Sequence, residues 1–174
     1  MHPSTVVKDY FDEPVAAHYD DPSSEMFDPA LLDRTTALLE ALADGGPALE
    51  LGIGTGRVAL PLSARGVVVT GIDLSTAMVE RLCAKPGAEA VQVTIGDFST
   101  TRVDGSYSLV YLVFNTISNL ISQDAQVACF RNASAHLPVG GHFLIEVGIP
   151  SLQRLPAGET VRPFRVSPTR LGFD

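Results

Sequence analysis

The stretch Glu50-Leu-Gly52-Ile-Gly54-Thr-Gly56 constrains this 174-residue chain more than any other. It stands where a short apolar run, 48–51, gives way to a helix predicted over about 55–64. Glycines at alternate positions let the backbone turn tightly and approach a ligand that a Cβ would exclude. The adjoining helix start offers unpaired N–H groups that attract an anionic group. The plainer reading of such a turn, taken alone, is a purely structural bend.

The flanking pattern narrows the choice. Further apolar runs fall at 67–72, 91–95, 109–114 and 142–149, and 67–72 is β-branched and apolar on both faces, as a buried parallel strand should be. Between them lie predicted helices over about 29–43, 55–64, 75–84 and 122–137. Asp28-Pro29, Ser75 and Ser122 are placed to cap three of them, and Pro14 opens a helical turn reaching Tyr19. Asp44-Gly45-Gly46-Pro47 and Pro138-Val139-Gly140-Gly141 supply the stops. Strand alternating with helix at this spacing predicts an α/β fold, a doubly wound and mostly parallel sheet with five strands placed. In 151–174, Pro156, Pro163 and Pro168 interrupt the pattern, and only 160–166 reads as an edge strand. The chain closes on Leu171-Gly172-Phe173-Asp174 with no element expected to finish a sheet. This predicts three parts: an N-terminal segment at 1–27, a core at 28–150 and an incomplete C-terminal segment at 151–174.

Composition excludes several function classes. Lys+Arg 12 against Asp+Glu 20 gives a net charge of −8, which argues against nucleic acid and against an anionic membrane surface. With 45% hydrophobic and only 18% charged residues the chain is expected to be globular. No basic leader with an apolar stretch opens the sequence, and no apolar run approaches about 18 residues. Cys83 and Cys129 are too few for a disulfide scaffold, so a reducing cytoplasm is expected. His2, His18, His136 and His142 form no metal-ligating cluster, so no metal is expected.

Two acidic positions give the glycine turn its chemistry. Asp73 ends the second strand 17 residues after Gly56, at the carboxyl edge where open α/β sheets bind ligands. A carboxylate there can accept hydrogen bonds from both hydroxyls of a ribose; the plainer reading is an acid at the start of the Ser75 helix. Asp97-Phe98 follows the third strand, where an acid can read an exocyclic amine while the ring covers a base; the plainer reading is a loop Asp and a core Phe. Together with Glu50, acids close strands one, two and three.

These residues resemble the successive binding motifs of class I S-adenosylmethionine-dependent methyltransferases: Glu50-x-Gly52-x-Gly54-x-Gly56, Ile72-Asp73 and Gly96-Asp97-Phe98. The resemblance runs from about Tyr10 to Gly148. It implies S-adenosylmethionine as cofactor, with the glycine loop on the methionyl part, Asp73 on the ribose and Asp97 and Phe98 on the adenine. Leu74 and Met78 would line the adenine side. Val110–Ile117 is similar to the family's fourth-strand motif, whose end faces the sulfonium and the methyl acceptor. Leu137–Glu146 looks like the turn and fifth strand that follow. His18-Tyr19-Asp20 resembles the segment that closes over the cofactor in small-molecule methyltransferases, with Tyr19 expected on the methionyl end. The family then implies methyl transfer to an N or O atom of a small molecule, such as an amino sugar.

Two departures stand out. Ser108 occupies the place where the family usually carries an acid, and five strands stand where the family has seven. The second implies a fragment, or last strands supplied from elsewhere. An exposed edge beyond the fifth strand would favour pairing with another chain, so a homodimer is a possible partner. His18 and Asn115 are the weak candidates for a catalytic role. Arg57 is read as a partner of the cofactor carboxylate or as a solvated helix-face arginine, His136 as a dipole-matched residue at a helix end, and His142 as structural on an inner strand. One rival is a nicotinamide-dependent oxidoreductase, although Arg57 stands where its third glycine would fall. The other is a non-catalytic subunit or sensor that binds S-adenosylmethionine.

Overall fold

The apolar runs of the sequence must bury both faces at once, and a parallel sheet covered by helices does that. A computed structural model describes residues 9–21, 25–148 and 158, together with the backbone of 163–166 and 171–173. His2, residue 149 of the fifth predicted strand and 160–162 of the predicted edge strand lie outside the described residues.

In chain order the elements are α1 (Glu13–Ala16), α2 (Pro29–Ala43), β1 (Ala48–Leu51), α3 (Ala59–Ala64), β2 (Val69–Asp73), α4 (Thr76–Cys83), β3 (Val91–Ile95), β4 (Leu109–Leu112), α5 (Gln123–His136), β5 (His142–Ile145), β6 (Pro163–Val166) and β7 (Leu171–Phe173). The first five strands form one sheet in the order β3-β2-β1-β4-β5, every pairing parallel. The expected doubly wound sheet is therefore present. The chain winds outward from β1 through β2 to β3, then returns to the other side of β1, which makes β1/β4 the switch point where such sheets open a crevice.

Alternation along the central strands builds two cores. Ala48, Leu109 and Tyr111 face one side with Leu39 and Ala43 of α2, Leu62 of α3 and Leu82 of α4. Leu49, Leu51, Val110 and Leu112 face the other with Cys129 and Ala133 of α5. All three expected caps form: Asp28 Oδ1 accepts from Ala30 N–H at 2.8 Å, Ser75 Oγ from Met78 N–H at 3.3 Å and Ser122 Oγ from Ala125 N–H at 3.2 Å.

Several expectations are corrected. The helix after the glycine turn starts at Ala59 rather than at residue 55, because Ile53–Val58 stay in turns that keep the backbone free beside the sheet edge. Residues 163–166 do not extend the main sheet. They pair antiparallel with Leu171–Phe173, the very residues read as carrying no strand, in a separate two-stranded sheet. His142 is exposed and starts β5, an edge strand among the described residues and not an inner one. His136 is buried, its Nδ1 2.8 Å from the Asn132 carbonyl and its Nε2 accepting from Val103 N–H at 3.2 Å. It ties α5 to the loop before β4.

Candidate functional site

The glycine turn takes its shape from three positive φ angles, 77°, 56° and 77° at Gly52, Gly54 and Gly56. A Cβ on Gly52 would lie 2.5 Å from Thr116 Cγ2, so only glycine lets the turn pass beneath the loop after β4. Gly56 serves packing instead. A Cβ there would lie 2.9 Å from the Leu82 side chain, so the glycine admits α4 into the core.

Asp73 closes the other side. Its Oδ2 accepts from Gly54 N–H at 2.6 Å and its Oδ1 from Ser75 N–H at 2.9 Å, so one carboxylate ties the glycine turn to the start of α4. Burial raises the Asp73 carboxyl above its ordinary value, opposed by the N–H groups of Ser75 and Gly54. Asp97 holds its own turn through Ser99 N–H at 2.8 Å, and Phe98 is buried beside it. Glu50 is 3% exposed and accepts from the Tyr111 hydroxyl at 2.9 Å. Burial pushes its carboxyl up to about 8, against the opposing pull of the Tyr111 hydrogen bond and the Arg57 charge.

These pieces meet at one crevice at the switch point. Gly52, Gly54, Asp73, Leu74, Met78, Asp97 and Phe98 all line it. A smaller recess shares Tyr19, Gly52, Gly54 and Thr116 with the crevice and adds Glu50, Arg57 and Phe114. Of the residues singled out from the sequence, Gly56, His18 and Asn115 line neither. His18 is exposed, with Nδ1 3.2 Å from the Pro14 carbonyl. Asn115 is exposed in a left-handed conformation, φ 59°, and its side chain accepts from Gly148 N–H, bracing the end of β4 against the end of β5. Arg57 is not a solvated helix-face residue. It donates to the Met26 carbonyl at 2.8 Å and its guanidinium stands 5.3 Å from the Phe114 ring centroid.

Sequence reasoning missed part of the lining. Asp9, Tyr10 and Phe11 come from the N-terminal segment, and Thr116, Asn119 and Leu120 from the turn after β4. The adjacent aromatics Tyr10-Phe11 in a polar stretch were an available signal for the first group; in the second, Thr116 falls at the end of the fourth-strand motif, and nothing marked Asn119 or Leu120. The N-terminal segment is tied across the crevice at three points. The Phe11 carbonyl accepts from the Ser75 hydroxyl, Glu13 pairs with Arg81 at 2.7 Å, and Asp20 accepts from Thr55 Oγ1 at 2.6 Å and pairs with Lys85 at 2.7 Å.

The family profile described as "Methyltransferase domain" matches residues 48–141, more than half of the chain and all of the strands that shape the crevice. The chain belongs to the class I S-adenosylmethionine-dependent methyltransferases. This membership sets aside the nicotinamide reading. Among relatives, a protein named as a methyltransferase from Geobacillus sp. (strain WCH70) is 34% identical over 103 residues, 57% of this chain and 41% of that protein. The structure of the CcbJ methyltransferase from Streptomyces caelestis superposes with a TM-score of 0.76 at 34% identity, over 91% of this chain and 65% of that one. The glycopeptide N-methyltransferase MtfA complexed with S-adenosyl-L-methionine gives a TM-score of 0.58 at 25% identity, over 74% of this chain and 52% of that one. The chain thus spans between two fifths and two thirds of the length of these relatives. Among the described residues no helix is long and apolar enough to cross a membrane.

Proposed function

We propose that this chain binds S-adenosylmethionine in the switch-point crevice and directs its methyl group to an N or O atom of a small molecule. The observation that carries this reading is that acids from the ends of three neighbouring strands line the crevice (Asp73 and Asp97) and the recess that shares Tyr19, Gly52, Gly54 and Thr116 with it (Glu50). Residues 28–148 would form the binding core and residues 9–21 a segment closing over it. The donor set fits the cofactor. A glycine turn without Cβ atoms admits a close-lying chain, Asp73 presents acceptors to a diol, and Phe98, Leu74 and Met78 offer apolar surface beside Asp97 to a base. Glu50 and Tyr19 then border the methionyl end.

The cofactor supplies an electrophilic methyl on sulfur, and the work of the chain is alignment. Holding two reactants in line is worth roughly 7–11 kcal/mol of barrier. The Gly52–Gly54 turn and Asp73 would fix the donor, with Tyr19 and Phe114 bordering the recess that holds its methionyl end. A neutral amine brings its own lone pair and needs no base, which favours nitrogen, because neither His18 nor Asn115 lines the cavity. The N-methyltransferase MtfA among the relatives supports the same choice. A non-catalytic binding subunit is the second reading, favoured by that same absence of a polar catalytic side chain among the sequence candidates.

Calorimetric titration with S-adenosylhomocysteine, and separately with NAD, tests the proposal. The homocysteine compound should bind and NAD should not. Asp73→Ala should weaken binding by about 2–3 kcal/mol through loss of charge-assisted hydrogen bonds. Binding of NAD alone would overturn the reading, and tight binding without methyl transfer to any amine or hydroxyl acceptor would favour the non-catalytic one.

A further inference from the structure

Among the described residues, three other than glycine hold a left-handed backbone, and two of them are consecutive: Phe114 at φ 57° and Asn115 at φ 59°, just past the end of β4. The third, Asp44, is the left-handed stop of α2. Asparagine tolerates this conformation, but a bulky ring adopts it only against a steric penalty. The chain uses glycine for left-handed backbone at 52, 54 and 56, so a phenylalanine here implies a use for its ring. That ring borders the recess with Glu50 and Tyr19, and the Arg57 guanidinium stands beside it. Glu146, the residue after β5, makes three bonds to the end of β4 and its turn. Its N–H donates to the Leu112 carbonyl at 2.9 Å, its carbonyl accepts from Asn115 N–H at 3.2 Å, and its Oε2 accepts from Phe114 N–H at 3.0 Å. The third bond comes from an exposed side chain that water would otherwise satisfy. The Asn115 side chain accepts in turn from Gly148 N–H, a second clasp between the same two stretches.

We propose that Glu146 is a positioning residue: its carboxylate holds Phe114 in the left-handed conformation that keeps the ring on the rim of the recess. The proposal deepens the cofactor reading above and rests on it, with the recess taking the methionyl end of the ligand. Glu146 lines neither the crevice nor the recess, so it acts through Phe114. A backbone N–H held by a charged acceptor favours this turn over the extended conformations that a phenylalanine prefers. Without that acceptor the turn would sample them, and the ring would leave the rim. Arg57, which donates to the Met26 carbonyl, would lose the aromatic face beside it. Thr116, two residues on, would lose its place against Gly52. An acid at the end of β5 thereby shapes a site built on the ends of β1 and β4.

The test is calorimetric titration of the full 174-residue chain with S-adenosylhomocysteine and with 5′-methylthioadenosine, which keeps the nucleoside and the sulfur but lacks the amino-acid end. Glu146 is exposed, so its replacement leaves both cores intact. Glu146→Ala should weaken S-adenosylhomocysteine about fivefold, through loss of one hydrogen bond that holds the turn, and leave methylthioadenosine unchanged. Glu146→Gln keeps an acceptor at the same reach and should bind both compounds as the wild type does. Phe114→Ala should show the same selective loss, and Glu146→Ala added to it should cost nothing more, since one acts through the other. Hydrogen exchange of the unliganded chain supplies a readout that needs no ligand: Glu146→Ala should speed exchange of the Phe114 and Asn115 amides while 109–112 stay protected. Undiminished S-adenosylhomocysteine binding in Glu146→Ala, an equal loss for both compounds, a Glu146→Gln variant as weak as Glu146→Ala, additive losses in the double variant, or unchanged exchange at 114–115 overturns this inference alone. If the wild-type chain binds neither compound, the cofactor reading falls and the ligand of the recess with it, while the exchange result still decides whether Glu146 holds the turn.

Discussion

Burying the carboxyl of Glu50 carries an electrostatic cost. Its carboxyl ionises near 4.5 in an unfolded chain and at about 8 here, because burial outweighs the Tyr111 hydrogen bond. The folded state therefore binds the extra proton. The stability this contributes is fully present below about pH 4.5 and is lost as pH rises through about 8. Denaturant titrations should show stability falling by up to about 1.4 kcal/mol per pH unit from this one group within that window. Glu50→Gln should lose that slope and should be the more stable protein at pH 8. Residue types at the crevice were legible along the chain: glycines at alternate positions and acids at strand ends have few other uses together. The state of those residues was not. That Glu50 is sealed against Tyr111 depends on a strand 61 residues away in sequence entering beside it, and that Gly56 serves packing rather than the cavity depends on Leu82 of α4.

At the scale of elements, α4 is the hinge between the sheet and the crevice. Its cap, Ser75, is 1% exposed and works twice, accepting from Met78 N–H and donating to the Phe11 carbonyl. Ser75→Ala should cost about 1–2 kcal/mol in thermal or chemical unfolding. It should also raise amide exchange in residues 9–21, which a cap acting only within α4 would leave untouched. Helix starts at Asp28, Ser75 and Ser122 were legible because capping is local, settled within three residues of chain. The late start of α3 was not, since the turns from 53 to 58 are held by contacts with the end of β2 and with α4. The hairpin of β6 with β7 was half legible: one strand was expected near residues 160–166, but its partner is a three-residue piece, Leu171–Phe173, too short to announce itself.

Across the whole molecule the N-terminal segment and the glycine turn act as one unit, through a cluster drawn from three distant stretches of chain. Lys85 Nζ donates to the Thr55 carbonyl at 2.7 Å and pairs with Asp20 at 2.7 Å, while Thr55 Oγ1 donates to Asp20 at 2.6 Å. These groups are only partly exposed, so the cluster should be worth more than the roughly 0–1 kcal/mol of an ordinary surface pair. Lys85→Ala should lower stability by about 1–2 kcal/mol and should speed dissociation of bound S-adenosylhomocysteine in stopped-flow displacement, with a smaller effect on its association. The sequence by itself determined the alternation of strand and helix, the glycine turn and the three acids at strand ends, because each depends on short-range periodicity, backbone freedom or capping. Only the tertiary structure decided which strands became neighbours, and hence that Glu50 meets Tyr111, that Asp20 meets Lys85, and that Asp9, Tyr10 and Phe11 enter the crevice. Those pairings join residues tens of positions apart, and their energy exists only after the sheet and its helices have packed.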